Sequence, residues 1–221
     1  MKQVSKAKRL SDFLSKFQPD FEPISRGLAI YAAAIALADE KGLSEAAQKA
    51  KALGAGLDAI YEALLQSYLF LGFPRMLSAA ESFRQDFPNY VVESEALEPR
   101  DLPLWERRGI ELCRRVYAEN FDKLKGRIIS LTPEIFDWMI LEGYGKVLSR
   151  PALDIRTREL TIVSSLIIDN RPRQLQSHLR GALNVGVAPT LLGAVIDDLK
   201  TIDEEGWRSA VSLLKLVREN V

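Results

Sequence analysis

Helical periodicity runs through almost the whole chain, and it leaves little room for another class of fold. Apolar residues recur at three- and four-residue spacing from Leu10 onward, interrupted by glycine, proline or a capping aspartate or serine. Alanine and leucine, both strong helix formers, supply about a quarter of the residues. Strand-like alternation is confined to Val91-Val92 and Arg127 to Ser130. The expected fold class is all-α.

The punctuation predicts the elements. An amphipathic segment with Leu10, Phe13, Leu14 and Phe17 on one face reads as an N-terminal arm packed on the domain or on a neighbouring subunit. A buried helix is expected over Ser25 to Glu40, ended by Gly42, with Ser44 capping the next helix as far as Leu53. Asp58 is expected to cap a helix through Leu71, and another covers Arg75 to Asp86. Phe87 to Pro103 holds three prolines and no helical period, so it reads as a linker. Leu104 to Leu124 reads as one long helix whose apolar stripe includes Cys113 and Tyr117. Thr132-Pro133 starts a helix through Leu148, and Asp154 caps one through Asp169. Pro172 and Pro189 open two more, and Glu204 to Glu219 closes the chain. These boundaries divide the chain into an arm and first repeat (1–88), a linker (89–103), and central helices with a second repeat (104–221), packed as one unit.

The word "repeat" rests on two alignments. Ala52 to Gln66 (ALGAGLDAIYEALLQ) sets under Ala182 to Ile196 (ALNVGVAPTLLGAVI) at an offset of 130. Arg26-Gly27-Leu28 sets under Arg158-Glu159-Leu160 at 132, and a longer loop around Gly42 would absorb the difference. In this register Glu159 faces Gly27 and His178 faces Gln48. The second copy has acid and imidazole at positions where the first has neither, so a site would belong there.

Composition removes several function classes. Lys plus Arg is 30 and Asp plus Glu is 30, which leaves no bulk field to gather nucleic acid or an anionic membrane. The longest apolar run, Leu28 to Ala38, is too short to span a bilayer. One cysteine allows no internal disulfide, and one histidine allows no multi-histidine metal site. A cytoplasmic protein without metal is the expectation. Cys113, on an apolar stripe, reads as an inert core thiol.

Within those limits Glu159 and His178 form the sharpest pair. They sit on either side of a turn near Asn170 to Pro172, at similar depth on two antiparallel helices, and a glutamate beside an imidazole can move protons. A histidine satisfied by a carboxylate in a polar seam would look the same. Arg171, Arg173 and Arg180 flank His178; one or two of them could hold a carboxylate, or all could be solvated surface charge. Tyr68, Phe70, Phe73, Trp138 and Tyr144 read as core. Gly143-Tyr144-Gly145-Lys146 lacks the spacing of a phosphate loop.

The run GYGKVLSRPALDIRTREL, with QLQSHLRGALNVGV after it, resembles the carboxymuconolactone decarboxylase family, which shares its fold with the alkyl-hydroperoxidase accessory protein AhpD. The pieces that carry the likeness are Arg150-Pro151, Leu153-Asp154, Arg158-Glu159-Leu160 and His178 to Asn184. Gln66 to Ala79 resembles the segment that follows this unit in the family. The resemblance implies an all-α AhpD-like domain, with two copies of a helical repeat and a central helical insertion, assembled as a homotrimer or homohexamer. In the AhpD branch two cysteines lie seven and four residues before the histidine. Arg171 and Gln174 stand there, so peroxidase chemistry by that thiol pair is not expected. The glutamate of that proton relay matches Glu159. The decarboxylase branch is the closer match; it uses no cofactor and removes CO₂ from a carboxylated unsaturated lactone in aromatic catabolism. By that likeness Glu159 and His178 are the catalytic pair, and Arg171 or Arg180 holds a carboxylate of the small substrate. A non-catalytic oligomeric helical protein of the same fold is the alternative. No nucleic-acid or membrane partner is expected.

Overall fold

The computed structural model of this chain describes residues 5–92 and 101–219. Among these, every regular element is helical, as the periodicity required. The first half holds α1 (Lys6–Leu14), α2 (Pro23–Leu37), α3 (Glu40–Ala52), α4 (Leu57–Gln66), the single turn α5 (Tyr68–Leu71) and α6 (Phe73–Asp86). The second holds α7 (Leu102–Tyr117), α8 (Phe121–Leu131), α9 (Pro133–Trp138), a π-helix (Met139–Leu148), α10 (Ile155–Ile168), α11 (Pro172–Asn184), α12 (Pro189–Asp198) and α13 (Glu204–Glu219). Residues 93–100 of the expected linker lie outside the described residues. No helix is long and apolar enough to cross a membrane, among the described residues.

Helices α2 and α10 lie against each other at the centre. Both are buried on nearly every face, which explains why neither has a polar stripe. The alanines of α2 let α10 approach closely enough for Ser165 Oγ to reach the Ala32 carbonyl at 3.4 Å. Each central helix carries the same retinue. Helices α2, α3, α4 and α6 pack in the same pairs as α10, α11, α12 and α13.

The register between the copies differs from the sequence expectation. Helices α3 and α11 both end in a left-handed glycine, Gly54 and Gly186, followed by the same closing bonds: Ala55 N–H to Ala50 O, and Val187 N–H to Ala182 O. Ala38 and Asn170 are both left-handed, with φ 54°. Each of these pairs is 132 residues apart, so the offset is 132 throughout and no loop adjustment exists. His178 therefore matches Ala46, not Gln48. The error came from aligning Gly56 with Gly186 by letter, when the glycine that turns the chain is Gly54. Gly42 does not end a helix either. It lies inside α3, where Asp39 accepts from its N–H at 2.9 Å as the cap. A Cβ on Gly42 would stand 2.9 Å from Leu10, so this glycine makes room for α1. Ser44, the expected cap, instead donates to Asp86.

Two arginines cross between the copies. Arg26 on α2 makes a bidentate pair with Asp198 on α12, at 2.8 and 2.9 Å. Its counterpart Arg158 on α10 reaches Glu62 (2.7 Å) and Gln66 (2.8 Å) on α4. Arg150 shares Glu62 at 2.7 Å, and Arg158 also donates to the carbonyls of Leu153 and Arg150. A wholly buried guanidinium is tolerated only with such a full set of acceptors.

The central insertion departs most from expectation. Leu104 to Leu124 is not one helix. Ala118 takes φ 46°, a short turn follows, and α8 leaves in a new direction. The single stripe was misleading because Phe121, although the Arg114 guanidinium of α7 covers its ring, also packs on Phe136 of α9. The helix expected from Glu134 to Leu148 widens into the π-helix after Trp138. There its backbone meets that of α7. A Cβ on Gly109 would stand 2.1 Å from the Ile140 carbonyl, and one on Gly145 2.1 Å from that of Trp105. Asp58 lies in the first turn of α4, after the Gly56 cap, and accepts from the Tyr90 hydroxyl.

A candidate acid-base site in an apolar cavity

Asp154 starts α10 by accepting from the N–H groups of Arg156 and Thr157, which sets Glu159 on the second turn. The left-handed Asn170 ends the helix, Pro172 starts α11, and the chain returns antiparallel. Glu159 Oε2 and His178 Nδ1 meet at 2.9 Å across the two helices. The carboxylate is fully buried and the imidazole only 5% exposed. Glu159 Oε1 has no hydrogen-bond partner among protein atoms.

Other residues of the HLRGALN run explain themselves in this geometry. A Cβ on Gly181 would stand 3.0 Å from Glu159 Oε2 and 2.8 Å from Val116, so the glycine makes space for the carboxylate. Asn184 donates to the Val116 carbonyl at 2.8 Å and ties α11 to the last turn of α7. Phe70 stands edge-on to the imidazole at 5.3 Å between ring centroids, and Tyr117 at 6.5 Å.

His178 opens onto a cavity of about 580 Å³. Its walls come from α5, the end of α7, α8, α9, the π-helix and α11, and most of them are apolar: Phe70, Leu124, Ile128 and Met139 among them. Two arginines line it, Arg127 from α8 and Arg173 from α11. Neither makes an ion pair among the described residues. Glu142, the one acidic residue on the wall, accepts from Tyr68 at 2.8 Å. Burial drives the Tyr117 and Tyr144 phenols well above their ordinary range, and the two rings stand edge to face at 6.3 Å between centroids.

The structure brings some sequence candidates together and separates others. Glu159 and His178 meet. Arg171 and Arg180 do not line the cavity. Arg171 lies outside it, paired with Asp169 at 2.8 Å. Arg180 follows His178 by two residues, about 200° around the helix, and so points away. The aromatic residues read as core, Tyr68, Phe70, Phe73, Trp138 and Tyr144, all line the cavity, and Trp138 is 61% exposed. Sequence reasoning missed Arg127 and the role of Tyr117. For Arg127 no signal existed, because the turn at Ala118 that swings α8 over the cavity cannot be read from residue types. Arg173 was in view, and its place four residues before Ser177, on the cavity side of α11, was the usable hint. Cys113 is fully buried, and desolvation pushes its thiol up to about 12.

The model of the carboxymuconolactone decarboxylase family matches residues 133–219. That segment is similar to the carboxymuconolactone decarboxylase family. The match runs from α9 to α13 and contains Glu159, His178, Gly181 and Asn184. The all-α, AhpD-like architecture agrees with it. No curated protein matches the chain. The acid and the imidazole come from inside the matched segment. Much of the cavity wall does not: Tyr68, Phe70, Phe73, Tyr117, Leu124, Arg127, Ile128 and Leu131 precede residue 133. Among the described residues no cluster of three or more His, Cys, Asp or Glu is placed to hold a metal ion.

Proposed function

We propose that this chain is a cofactor-free proton-transfer enzyme of the carboxymuconolactone decarboxylase type, acting on a small carboxylated lactone-like compound through Glu159 and His178. One observation carries the reading: a fully buried carboxylate holds the only imidazole at 2.9 Å while its second oxygen is left unpartnered, and the ring faces a cavity. A core selected for stability alone would not retain an unsatisfied buried carboxylate oxygen, because its desolvation costs about 1–3 kcal/mol or more.

The Glu159 carboxylate accepts from Nδ1–H and so fixes the tautomer, which turns Nε2 toward the ligand. It also stabilises the imidazolium when Nε2 carries a proton. In the decarboxylation the C–CO₂ bond breaks and its electron pair enters the conjugated lactone. The imidazolium then places its proton on ring carbon and is reprotonated from water. The apolar wall favours this step, since a leaving carboxylate loses hydration there. Arg127 and Arg173, unpaired at the wall, take over the anion-holding role first expected of Arg171 and Arg180. Thiol peroxidase chemistry is not part of the reading. The expected cysteine positions hold Arg171 and Gln174, and Cys113 is buried.

Self-association belongs to the same proposal. Phe73, Leu77, Leu131 and Trp138 are each more than half exposed, more apolar surface than a solitary chain usually shows in one region. A homotrimer or homohexamer would cover it; light scattering that finds a monomer at micromolar concentration rejects this part.

The test of the reaction is CO₂ release from carboxymuconolactone. His178→Asn and Glu159→Gln should each lower the rate by about 10²- to 10⁴-fold, the usual worth of a positioned acid or base. Turnover that survives both changes refutes the assignment. Absence of turnover in the unaltered protein favours the non-catalytic oligomer.

A further inference from the structure

We infer that Tyr117, supported by Tyr144, is the hydrogen-bond donor to a ligand oxygen that becomes negatively charged beside His178. The inference rests on the proton-transfer reading above and adds a group outside the matched family segment. Three constraints fix Tyr117. It is the last residue of α7, Asn184 grips the carbonyl of the residue before it, and the left-handed Ala118 turns the chain immediately after it. Its ring lies against both the imidazole and Tyr144, at 6.5 and 6.3 Å between centroids. All three side chains line the one cavity.

Geometry selects Tyr117 over Tyr144. Of the two phenols only Tyr117 stands edge-on to the imidazole, whereas Tyr144 meets Tyr117 and lies deeper, at 4% exposure. Among the described residues the Tyr117 O–H reaches no carboxylate or carbonyl oxygen, so it remains available to the cavity. Two phenylalanines would fill this wall without an unspent donor. Electrons released when a carboxylated unsaturated lactone loses CO₂ collect on its carbonyl oxygen, and a preorganised donor in a dry site stabilises such an oxygen more than water does. His178 then serves carbon and Tyr117 serves oxygen. No proton leaves Tyr117; it donates a hydrogen bond only.

The test avoids turnover, so its failure is distinct from failure of the reaction. 4-Nitrophenolate is a stable mimic of an enolate oxygen, and its binding is read from the phenolate absorbance. 4-Nitroanisole has the same shape without the charge. Tyr117→Phe should weaken phenolate binding by about tenfold, the usual effect of losing one hydrogen bond to an anion. Tyr144→Phe should weaken it by a smaller factor, and neither change should alter anisole binding. Circular dichroism confirms that each variant is folded. Unchanged phenolate affinity in Tyr117→Phe, an equal loss of anisole binding, or no phenolate binding by the unaltered protein overturns the inference.

Discussion

Gly181→Ala tests whether the glycine of the HLRGALN run exists to seat the Glu159 carboxylate. The added methyl group would stand 2.8 Å from Val116 Cγ1 and 3.0 Å from Glu159 Oε2. The first distance is below any normal carbon contact, so a neighbour must move. Val116 is buried and tied through its carbonyl to Asn184, whereas Glu159 has an unpartnered oxygen and so less to lose by shifting. Overpacking of this kind costs about 1–3 kcal/mol. Alanine in mid-helix returns about 1 kcal/mol through its higher propensity. The net loss is then about 0–2 kcal/mol, or a melting temperature lower by at most about 8 °C for a chain of this size. Activity should fall much further, by about 10- to 100-fold, because displacing Glu159 releases the imidazole tautomer that positions the proton. Thermal unfolding followed by circular dichroism gives the first quantity. A long-range ¹H–¹⁵N spectrum of the single histidine gives the second directly, as loss of the Nδ1–H form. A variant that is fully active with the histidine signature unchanged would refute the argument. So would one that fails to fold while Gly181→Ser folds and is active.

Three further outcomes are expected. Arg158→Leu leaves Glu62 buried with Arg150 as its remaining cation, and should cost about 3–5 kcal/mol in urea unfolding; adding Glu62→Leu should restore most of that, because the loss comes from the stranded carboxylate. Cys113, with its thiol pushed up to about 12, should be inert to a disulfide reagent at pH 8 in the folded protein and react promptly in denaturant. Asp154→Ala removes a cap and should cost about 1 kcal/mol at pH 7. Burial works to raise the Asp154 carboxylate, but the Thr157 hydroxyl and the N–H groups of Thr157 and Arg156 outweigh it and hold the group below its ordinary value. Its contribution is therefore present above the usual carboxylate range and lost as pH falls through the lowered value, so the two proteins should converge in stability in acid. A gap that widens in acid would contradict this.

Several elements were legible before any coordinates because their signals are local. Asp154, Pro172 and the pair Val185-Gly186 each act within one turn of backbone, and the helices they bound begin and end where those residues require. The separation of Glu159 from His178 was legible for a related reason. An antiparallel helix pair with a short turn is nearly rigid, so counting residues from the turn gives depth. The long helix expected over Leu104 to Leu124 failed for the opposite reason. A continuous apolar stripe is produced equally by one straight helix and by two helices that bury the same residues against different neighbours. Only the packing of Phe121 on Phe136, and the left-handed Ala118, decide between them.

By itself the amino-acid sequence determined the all-α class, the duplicated helical unit, and the presence of the Glu159 and His178 pair in the second copy alone. It also excluded thiol-pair and multi-histidine chemistry. All of these depend on residue type and on spacing along one or two helices. The tertiary structure alone decided which side chains surround His178. The cavity is built from α5, α7, α8, α9, the π-helix and α11, parts of the chain separated by up to about a hundred residues. Arg127 and Tyr117 reach it because of a turn at Ala118, and because the glycine contacts at 109 and 145 set the π-helix against α7; Phe70 is brought in on α5 from the first half of the chain. Arg171 and Arg180, next to the histidine in sequence, are turned away by Asp169 and by the helical pitch. Neighbours along a helix share a face only at particular spacings, whereas a cavity wall is chosen by how whole helices cross.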